Sequence, residues 1–262
     1  MIGDELLDQA CLMYTERDAS ERYQKAQRLL AKEPALAAAN IFTAAAVGDA
    51  RTAEVLLKED PTLATAKGGP RNLQPLLYLC YARVQSADPA HSPLEVAKLL
   101  LASGADPNAF FKYDYGSIFT ALTGVFGEGE RGPANQPPHY QCTELARLLL
   151  DEGASPNDGQ ALYNRMFRHG PGNECIELLL SYGLEASDKI NWQENSSTGT
   201  LNFLLEHAVK EGFASRVVLL VENGVDPNCS GFYEPRKTPY QHALDCGHEQ
   251  IAAILKEAGA KR

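Results

Sequence analysis

Four potential metal ligands lie close together near the carboxyl end of the sequence: His242, Asp245, Cys246 and His248. His242 and Cys246 are four residues apart and share one face of a helix, so the chemistry to consider is a zinc ion held by nitrogen and sulfur. A structural zinc site uses four such ligands at defined spacings. This group offers two or three potential ligands, and their proximity is incidental. We therefore expect no metal and no cofactor here.

Other residue types with catalytic potential are also isolated. His139 and Cys142 are three residues apart, but no third residue lies within reach along the sequence to complete a nucleophile and its base. Residues 68–72 contain two glycines but lack the GxxxxGK spacing and the preceding strand of a phosphate-binding loop, so they predict a turn. Paired acids such as Asp151 and Glu152 are typical of a solvated surface. The sequence predicts no catalytic residues, and we expect that the chain is not an enzyme.

The composition is that of a globular protein and excludes several functional classes. The chain has 262 residues, of which 44% are hydrophobic and 22% charged, and 34 acidic against 24 basic residues leave a net charge of −10. This balance argues against disorder and against binding nucleic acid through its phosphates. Residues 1–8 are acidic where a signal peptide is basic, and residues 35–48 are too rich in alanine for a membrane helix. Six cysteines without a CxxC pair indicate reduced thiols, so we expect a cytoplasmic protein that does not bind membranes.

The positions of these residues depend on an internal repeat. The string Gly-x-x-Pro-Asn occurs at residues 104–108, 153–157 and 224–228, and shorter copies begin at Gly183 and Gly259. Each copy follows a leucine- or valine-rich amphipathic stretch. A helix that ends on glycine, which adopts the left-handed cap conformation easily, and is followed by proline explains this order.

A second, shorter helix precedes each of these stretches, most clearly at residues 237–248. Thr238 can cap its amino end and Pro239 suits its first turn. With this pair the sequence resembles the ankyrin repeat, whose pattern is Thr-Pro-Leu-His-x-Ala-Ala-x-x-Gly-His, a second helix ending in Leu-Leu, and Gly-Ala-Asp-Pro-Asn. In that pattern His248 makes structural hydrogen bonds. The irregular repeats are similar to those of stand-alone ankyrin proteins of bacteria.

The resemblance implies an all-α fold, an ankyrin-type α-solenoid of about six helix-pair repeats after a divergent capping helix pair. We place the cap at residues 1–38 and the array at residues 39–262, and we expect one continuous domain because stacked repeats share a core. Repeat endings at residues 60, 104, 153, 183, 224 and 259 are mostly further apart than the roughly 33 residues of an ankyrin repeat. Insertions at residues 84–92, 127–140 and 186–199 account for the difference.

Ankyrin arrays contact partners through projecting turns and through solvent-facing positions of the first helix, which here include Thr43 and Gly124. The turns of this chain are aromatic, and aromatic side chains anchor interfaces. These rings either form an interface or pack under their own turns as small local cores, and for the set we favour an interface. The candidate partner-binding residues are Tyr78, Tyr81, Phe110, Phe111, Tyr113, Tyr115, Asn164, Trp192, His207, Phe232, Tyr233, Arg236 and His242.

Basic residues also gather in the turns and on the groove side of the array: Lys67, Arg71, Arg83, Lys112, Arg165, Arg168, Arg236 and Lys237. They leave open a partner with an acidic surface, although acids such as Asp188 occur in the same turns. We predict a monomeric, non-catalytic protein–protein interaction module, an adaptor, inhibitor or regulator, that binds another protein through its concave groove and projecting turns. The alternative is a small-ligand receptor or enzyme built in the groove around the 127–140 insertion, with Tyr78 and Tyr81.

Overall fold

The computed structural model describes residues 2–113, 116–166, 172–191 and 198–261. Contacts between residues divide the chain into two compact units, Met1–Ser155 (unit 1) and Pro156–Arg262 (unit 2). Both units are built from short helices, which confirms the all-α prediction.

The helices of unit 1 are α1 (Asp4–Ala10), α2 (Ser20–Lys32), α3 (Ile41–Val47), α4 (Ala50–Glu59), α5 (Pro75–Tyr81), α6 (Pro93–Ala102), α7 (Ala121–Phe126), α8 (Gly132–Asn135) and α9 (Cys142–Asp151), with 3-10 turns at Pro34–Ala38 and Pro61–Ala64. They pack in pairs, α1 with α2, α3 with α4, α5 with α6 and α7 with α9. The first helices α1, α3, α5 and α7 stack on one another, and the second helices α4, α6 and α9 stack in a second row. Helix α5 is buried on every face, because it lies between α3, α6 and α7.

Unit 2 contains α10 (Gly159–Met166), α11 (Glu174–Ser181), α12 (Thr200–Glu211), α13 (Ala214–Glu222), α14 (Pro239–Asp245) and α15 (Glu249–Glu257). Helices α10, α12 and α14 stack in order, and α13 packs against α15. The predicted start of α14 is confirmed, because the Thr238 side chain accepts the N–H of Gln241 and Pro239 occupies the first turn.

The recurring glycine ends the second helix of a repeat as expected. Gly104 has a φ of +94°, and the N–H of the next residue, Ala105, donates to the carbonyl of Leu100 at 2.9 Å. This bond satisfies a carbonyl group that the end of the helix leaves unpaired, and a side chain would strain the glycine conformation that forms it. The same arrangement recurs after Gly153, Gly183, Gly224 and Gly259.

The asparagine of the repeated string connects one repeat to the next. Asn108 donates from Nδ2 to the carbonyl of Gly153 at 2.9 Å and accepts the N–H of Ser155 at 2.8 Å. Asn228 makes the same two kinds of bond, to the carbonyl of Gly259 and from the N–H of Lys261. An amide side chain that carries both a donor and an acceptor is suited to this role.

Unit 1 departs from an all-helical structure between α6 and α7. Strands β1 (Phe110–Lys112) and β2 (Ile118–Thr120) pair in an antiparallel ladder that sets Phe111 opposite Phe119. The sequence predicts a projecting turn here and no strands, so the strand pair is a feature that the repeat pattern does not contain. The alternation of side chains across a strand puts Phe110 and Lys112 on one face and Phe111 on the other.

The Arg83 side chain joins three parts of unit 1. Its guanidinium donates to the carbonyls of Cys80 and Ala82 at the end of α5, of Gly124 in α7 at 2.5 Å, and of Pro137 in the 127–140 insertion at 2.6 Å. Charged donors of this kind suit the last carbonyls of a helix, where the helix dipole is negative. The arginine therefore holds the insertion against the helix ends.

We expect Arg83→Met to lower the free energy of unfolding by about 3 kcal/mol, because it removes the charged donors from four carbonyl groups. Urea denaturation followed by circular dichroism measures the change. Arg51→Met, at an exposed position on α4, is the matched control and is expected to stay within about 0.5 kcal/mol of the wild type. Equal stability of the two variants would contradict the assigned role.

Candidate functional site

The β1–β2 pair presents two different surfaces. On its inner face Phe111 stacks on Phe119, with ring centroids 5.6 Å apart, and contacts the edge of Tyr81 at 5.3 Å. The Arg71 guanidinium lies 4.7 Å from the centre of the Phe111 ring and donates to the Tyr113 hydroxyl at 3.2 Å. These contacts fix the orientation of the pair on the repeat below.

The outer face of the β1–β2 pair is open. The Phe110 side chain is 51% exposed, and Lys112 is also exposed, with its Nζ 5.9 Å from the centre of the Phe110 ring. The sequence left two interpretations of these rings open. The local core applies to Phe111, and the exposed surface applies to Phe110.

The segment between α1 and α2, residues 11–19, lies over the ends of α5 and α7. Its Leu12 N–H donates to the carbonyl of Tyr81 at 2.9 Å, and its Tyr14 hydroxyl donates to the carbonyl of Thr123 at 3.0 Å. The Tyr14 ring contacts Tyr81 and Phe119. Tyr113 also donates its hydroxyl to the carbonyl of Met13. The chain itself thus covers this side of the first repeats.

The prediction that Tyr78 and Tyr81 occupy solvent-facing positions is wrong, because both side chains are completely buried. The Tyr78 hydroxyl donates to the carbonyl of Gly68, and the Tyr81 hydroxyl donates to that of Thr120, each at 2.9 Å. Burial raises the pKa of Tyr78 to about 12. A side chain at Gly124 would have its Cβ 2.3 Å from the Tyr81 ring, so the absence of a side chain there makes room for the tyrosine.

The same prediction of solvent-facing positions is wrong elsewhere in this column. Thr43 is fully buried, Asn164 is 2% exposed and accepts a bond from Gln160, and His242 is 3% exposed. His207 is half-buried, with its ring 6.0 Å from that of Phe213. The first helices are short and packed on both sides by neighbouring helices, so positions that the repeat pattern leaves variable become buried. That these residues bind a partner stays an untested prediction.

In unit 2 a buried carboxylate organises the turn at residues 229–237. Glu206, on α12, is 1% exposed and accepts the backbone N–H groups of Phe232 at 2.6 Å, Tyr233 at 3.0 Å and Glu234 at 3.0 Å. Charge-assisted bonds to three successive N–H groups are strong and specify the backbone path of the turn. The turn holds the Tyr233 side chain outward, where it is 53% exposed.

Ion pairs reinforce this turn. Lys210 Nζ lies 2.9 Å from Glu234 and 3.3 Å from Glu206, and Lys237 bridges Glu234 and Asp245 at 3.1 Å each. Hydrogen bonds from Lys210 and Lys237 lower the pKa of Glu234 to about 2. Burial and the charge of Lys210 lower the pKa of His242, whose Nε2 lies 3.9 Å from Glu206. Within the turn, Arg236 stays exposed and pairs with no described acid.

The 127–140 insertion packs against the amino-terminal helices of unit 1. Gln136 donates to the fully buried Asp18 at 2.9 Å, and the Tyr23 hydroxyl donates to the carbonyl of Asn135 at 2.8 Å. His139 is 2% exposed and its Nδ1 accepts the N–H of Gln141 at 3.0 Å. Burial, and then the charge of Arg83, lowers the pKa of His139 well below its usual value. These polar groups are bonded within unit 1.

Several buried cysteines are chemically quiet. Burial raises the pKa of Cys11 to about 11 and that of Cys80 and Cys229 to about 12, with nearby Asp226 adding to the effect at Cys229. Such thiols stay protonated at neutral pH and are poor nucleophiles and ligands.

The histidine and cysteine group near the carboxyl end does not gather around a common point. His248 Nε2 lies 3.1 Å from the carbonyl of Lys210, the structural bond that the repeat pattern implies, while Cys246 is exposed and His242 is buried. In the part of the chain that the structure describes, no three His, Cys, Asp or Glu side chains form a set of metal ligands. Within the same ranges, none of the helices combines the length and the apolar character that crossing a membrane requires.

Two candidate residues, Tyr115 and Trp192, lie outside the described residues, as does the basic residue Arg168. Sequence reasoning did not single out Glu206 or Asp18. The signal for Glu206 was weak: it is an acid within the largely apolar stretch 201–209, which also contains Asn202 and His207. An acid in such a run indicates a buried carboxylate that needs a partner.

We expect Glu206→Gln to lower the free energy of unfolding by about 2 kcal/mol, because the neutral amide loses the charge assistance of three bonds. The turn should also open, and limited trypsin digestion followed by mass spectrometry should show faster cleavage after Arg236 and Lys237. Glu222→Gln, at an exposed position of α13, is the control. Unchanged cleavage in Glu206→Gln would show that the carboxylate does not hold the turn.

We expect the stability of the protein to fall as the pH drops below about 6.5, in part because unfolding lets His139 take up a proton that the folded state excludes. The pKa of His139 is lower in the folded protein than in the unfolded chain. The stabilisation that comes from a neutral His139 is therefore fully present above the unfolded pKa, and it is lost as the pH falls through the folded pKa. His139→Asn keeps an acceptor for Gln141 and cannot titrate. Its urea midpoint should therefore depend less on pH between 6.5 and 5 than that of the wild type, and parallel curves would contradict the assignment.

The fold is shared with known structures. No family model matches the chain. An ankyrin repeat domain from Acinetobacter baumannii AYE superposes with a TM-score of 0.59 at 22% identity, covering 84% of this chain and 98% of that one. The human ASB11 ankyrin repeat domain gives a TM-score of 0.51 at 17% identity, covering 85% of each chain.

The sequence relatives match a smaller part of this chain than the structures do. The human histone-lysine N-methyltransferase EHMT1 is 26% identical over 134 residues, 49% of this chain, and its mouse counterpart is 27% identical over 92 residues, 35% of this chain. The chain spans 10% and 6% of the length of these two curated relatives. The structural matches, together with the helix pairs and glycine-capped turns, establish that this chain has the ankyrin-repeat fold.

Proposed function

We propose that the chain is a non-catalytic module that binds another protein through the exposed side chains of its projecting turns. Ankyrin-repeat folds generally mediate protein–protein interaction. The observation that carries the proposal is that Phe110 in unit 1 and Tyr233 in unit 2 are both more than half exposed, and that each lies on a turn held in place by a charged side chain, the half-buried Arg71 and the buried Glu206 respectively. Exposed aromatic rings of this kind are typical anchors of interfaces.

The rigidity of these turns supports the proposal. Arg71 and the Phe111–Phe119 stack fix the β1–β2 pair, and Glu206 fixes the 229–237 turn. A partner that binds a preorganised turn does not have to order it, so less of the interaction free energy is lost as entropy.

In unit 1 the proposed contact surface lies on the projecting turns and not on the first helices of the repeats. Residues 11–19 cover the ends of α5 and α7, and Tyr78 and Tyr81 are buried. The turns of this unit therefore carry the contact. The adaptor, inhibitor or regulator role, the cytoplasmic location and the monomeric state remain part of this proposal.

A small-ligand receptor or enzyme around the 127–140 insertion gains no support from the geometry. The hydroxyls of Tyr78 and Tyr81 are bonded to backbone carbonyls, and Gln136 and His139 are committed to Asp18 and Gln141. These side chains are used to hold unit 1 together.

Photo-crosslinking in the native host tests the proposal. With p-benzoylphenylalanine in place of Phe110 or Tyr233, we expect a discrete crosslinked protein, because the probe lies within the contact surface. The same probe in place of Val55, which is 50% exposed on α4, is the control and is expected to give no such product. Phe110→Ala with Tyr233→Ala should lower the yield of partner at least tenfold and leave the melting temperature within about 2 °C of the wild type.

Two results would contradict the proposal. One is equal crosslinking at Val55 and at the aromatic positions, which indicates non-specific contact. The other is a large thermal stabilisation by a metabolite or nucleotide, which would indicate a small-molecule site instead.

A further inference from the structure

A cavity of about 330 Å³ lies in unit 1 between the β1–β2 pair and the turn that precedes α5. Its walls come from two successive repeats. Lys67, Leu73, Gln74 and Leu77 belong to one, and Phe110 and Lys112 to the next. Its size suits one or two side chains of an extended peptide.

The cavity has an apolar floor and a polar rim. Leu73 and Leu77 are buried at 6% and 1% exposure, and the exposed Phe110 ring forms one wall. Gln74 also lines the cavity, and its Oε1 is buried and accepts no hydrogen bond from the described residues. A buried acceptor without a donor is costly, so a ligand that supplies an N–H would be stabilised here.

The charge at the rim is unbalanced. Lys67 and Lys112 are both exposed, and neither forms an ion pair with any described residue. One acid, Asp106, also lines the cavity, and its carboxylate accepts the N–H of Asn108 at 2.8 Å. This positive excess lies on a chain whose net charge is −10.

Most other basic residues of the turns and groove side are bonded within the protein or buried. Arg71 and Arg83 donate to backbone carbonyls, and Lys237 pairs with Glu234 and Asp245. Arg165 is buried at 8% exposure. Among the turn and groove-side basic residues of unit 1, Lys67 and Lys112 are therefore the two whose charge is available to a partner.

We propose that the cavity binds an Asp or Glu side chain of a partner protein together with the apolar side chain next to it. The carboxylate lies between Lys67 and Lys112, the apolar side chain packs on Leu73, Leu77 and Phe110, and a backbone N–H of the extended segment donates to Gln74 Oε1. This inference rests on the proposed function and names the partner chemistry at one of its turns.

Peptide selection with matched variants tests it. A displayed library of random twelve-residue peptides is selected on the whole protein, and the enriched peptides are synthesised and measured by fluorescence anisotropy. We expect an acidic residue beside a large apolar residue in the enriched peptides. Their Kd should rise at least tenfold in Lys67→Gln with Lys112→Gln, and it should also rise with added salt, because the charges lie at the surface.

The control is Lys58→Gln with Lys98→Gln. It changes the charge of unit 1 by the same amount at two exposed lysines of α4 and α6 that pair with Glu54 and Glu95. We expect unchanged Kd in this variant. Replacing the acidic residue of a selected peptide by Gln or Asn should weaken binding to the wild type and have little further effect in the Lys67→Gln, Lys112→Gln variant.

The outcomes separate this inference from the proposed function. Peptides that bind equally well to both double variants, or that lack an acidic residue, overturn the inference and leave the protein-binding role intact. Failure to select any peptide with a folded protein, combined with no crosslinking at Phe110 and Tyr233, overturns both.

Discussion

The guanidinium group of Arg83 is the contact on which the arrangement of unit 1 depends. This positively charged group is mostly buried and is surrounded by backbone carbonyls. The carbonyls belong to the end of α5, to α7 and to the 127–140 insertion. Burial lowers the pKa of Arg83, yet the charge is retained because the negative ends of two helices and the insertion solvate it in place of water. The insertion, which interrupts the repeat, is thereby held against it.

Two other arginines complete the attachment of the amino-terminal helices. Arg71 donates to the carbonyl of Leu12 at 2.7 Å, and Arg22 pairs with the buried Asp18 at 3.0 Å and donates to the carbonyls of Asp8 and Cys11. Residues 11–19 are thus fixed over α5 and α7. Because this segment covers one side of the first helices, the proposed contact surface of unit 1 consists of the outer face of the β1–β2 pair and the cavity beside it.

In unit 2 the group that holds an irregular segment in place is negatively charged, whereas in unit 1 it is an arginine. A turn of nine residues, 229–237, would lose much conformational entropy if it were ordered by surface contacts alone. Glu206 supplies an anion for three successive N–H groups, and Lys210 and Lys237 link the turn to α12 and α14. In both units, buried or half-buried ionic groups hold a turn in one conformation, and aromatic side chains on that turn are exposed to solvent.

The sequence by itself determined the helix pairs, the glycine-capped turns, the cap of α14 and the ankyrin-repeat fold, because these depend on local backbone preferences and on a pattern that repeats along the chain. The aromatic candidates from the sequence included Phe110 and Tyr233, but nothing in the sequence distinguished these two from Phe111 or Tyr81. Only the tertiary structure decided which rings are exposed, since that depends on the strand alternation at residues 110–112 and on residues 11–19 packing against α5, a contact between segments some 65 residues apart. The use of Glu206, Asp18 and Arg83 was decided at the same level, because a buried charge is defined by the groups that surround it in space, and no spacing along the sequence encodes them.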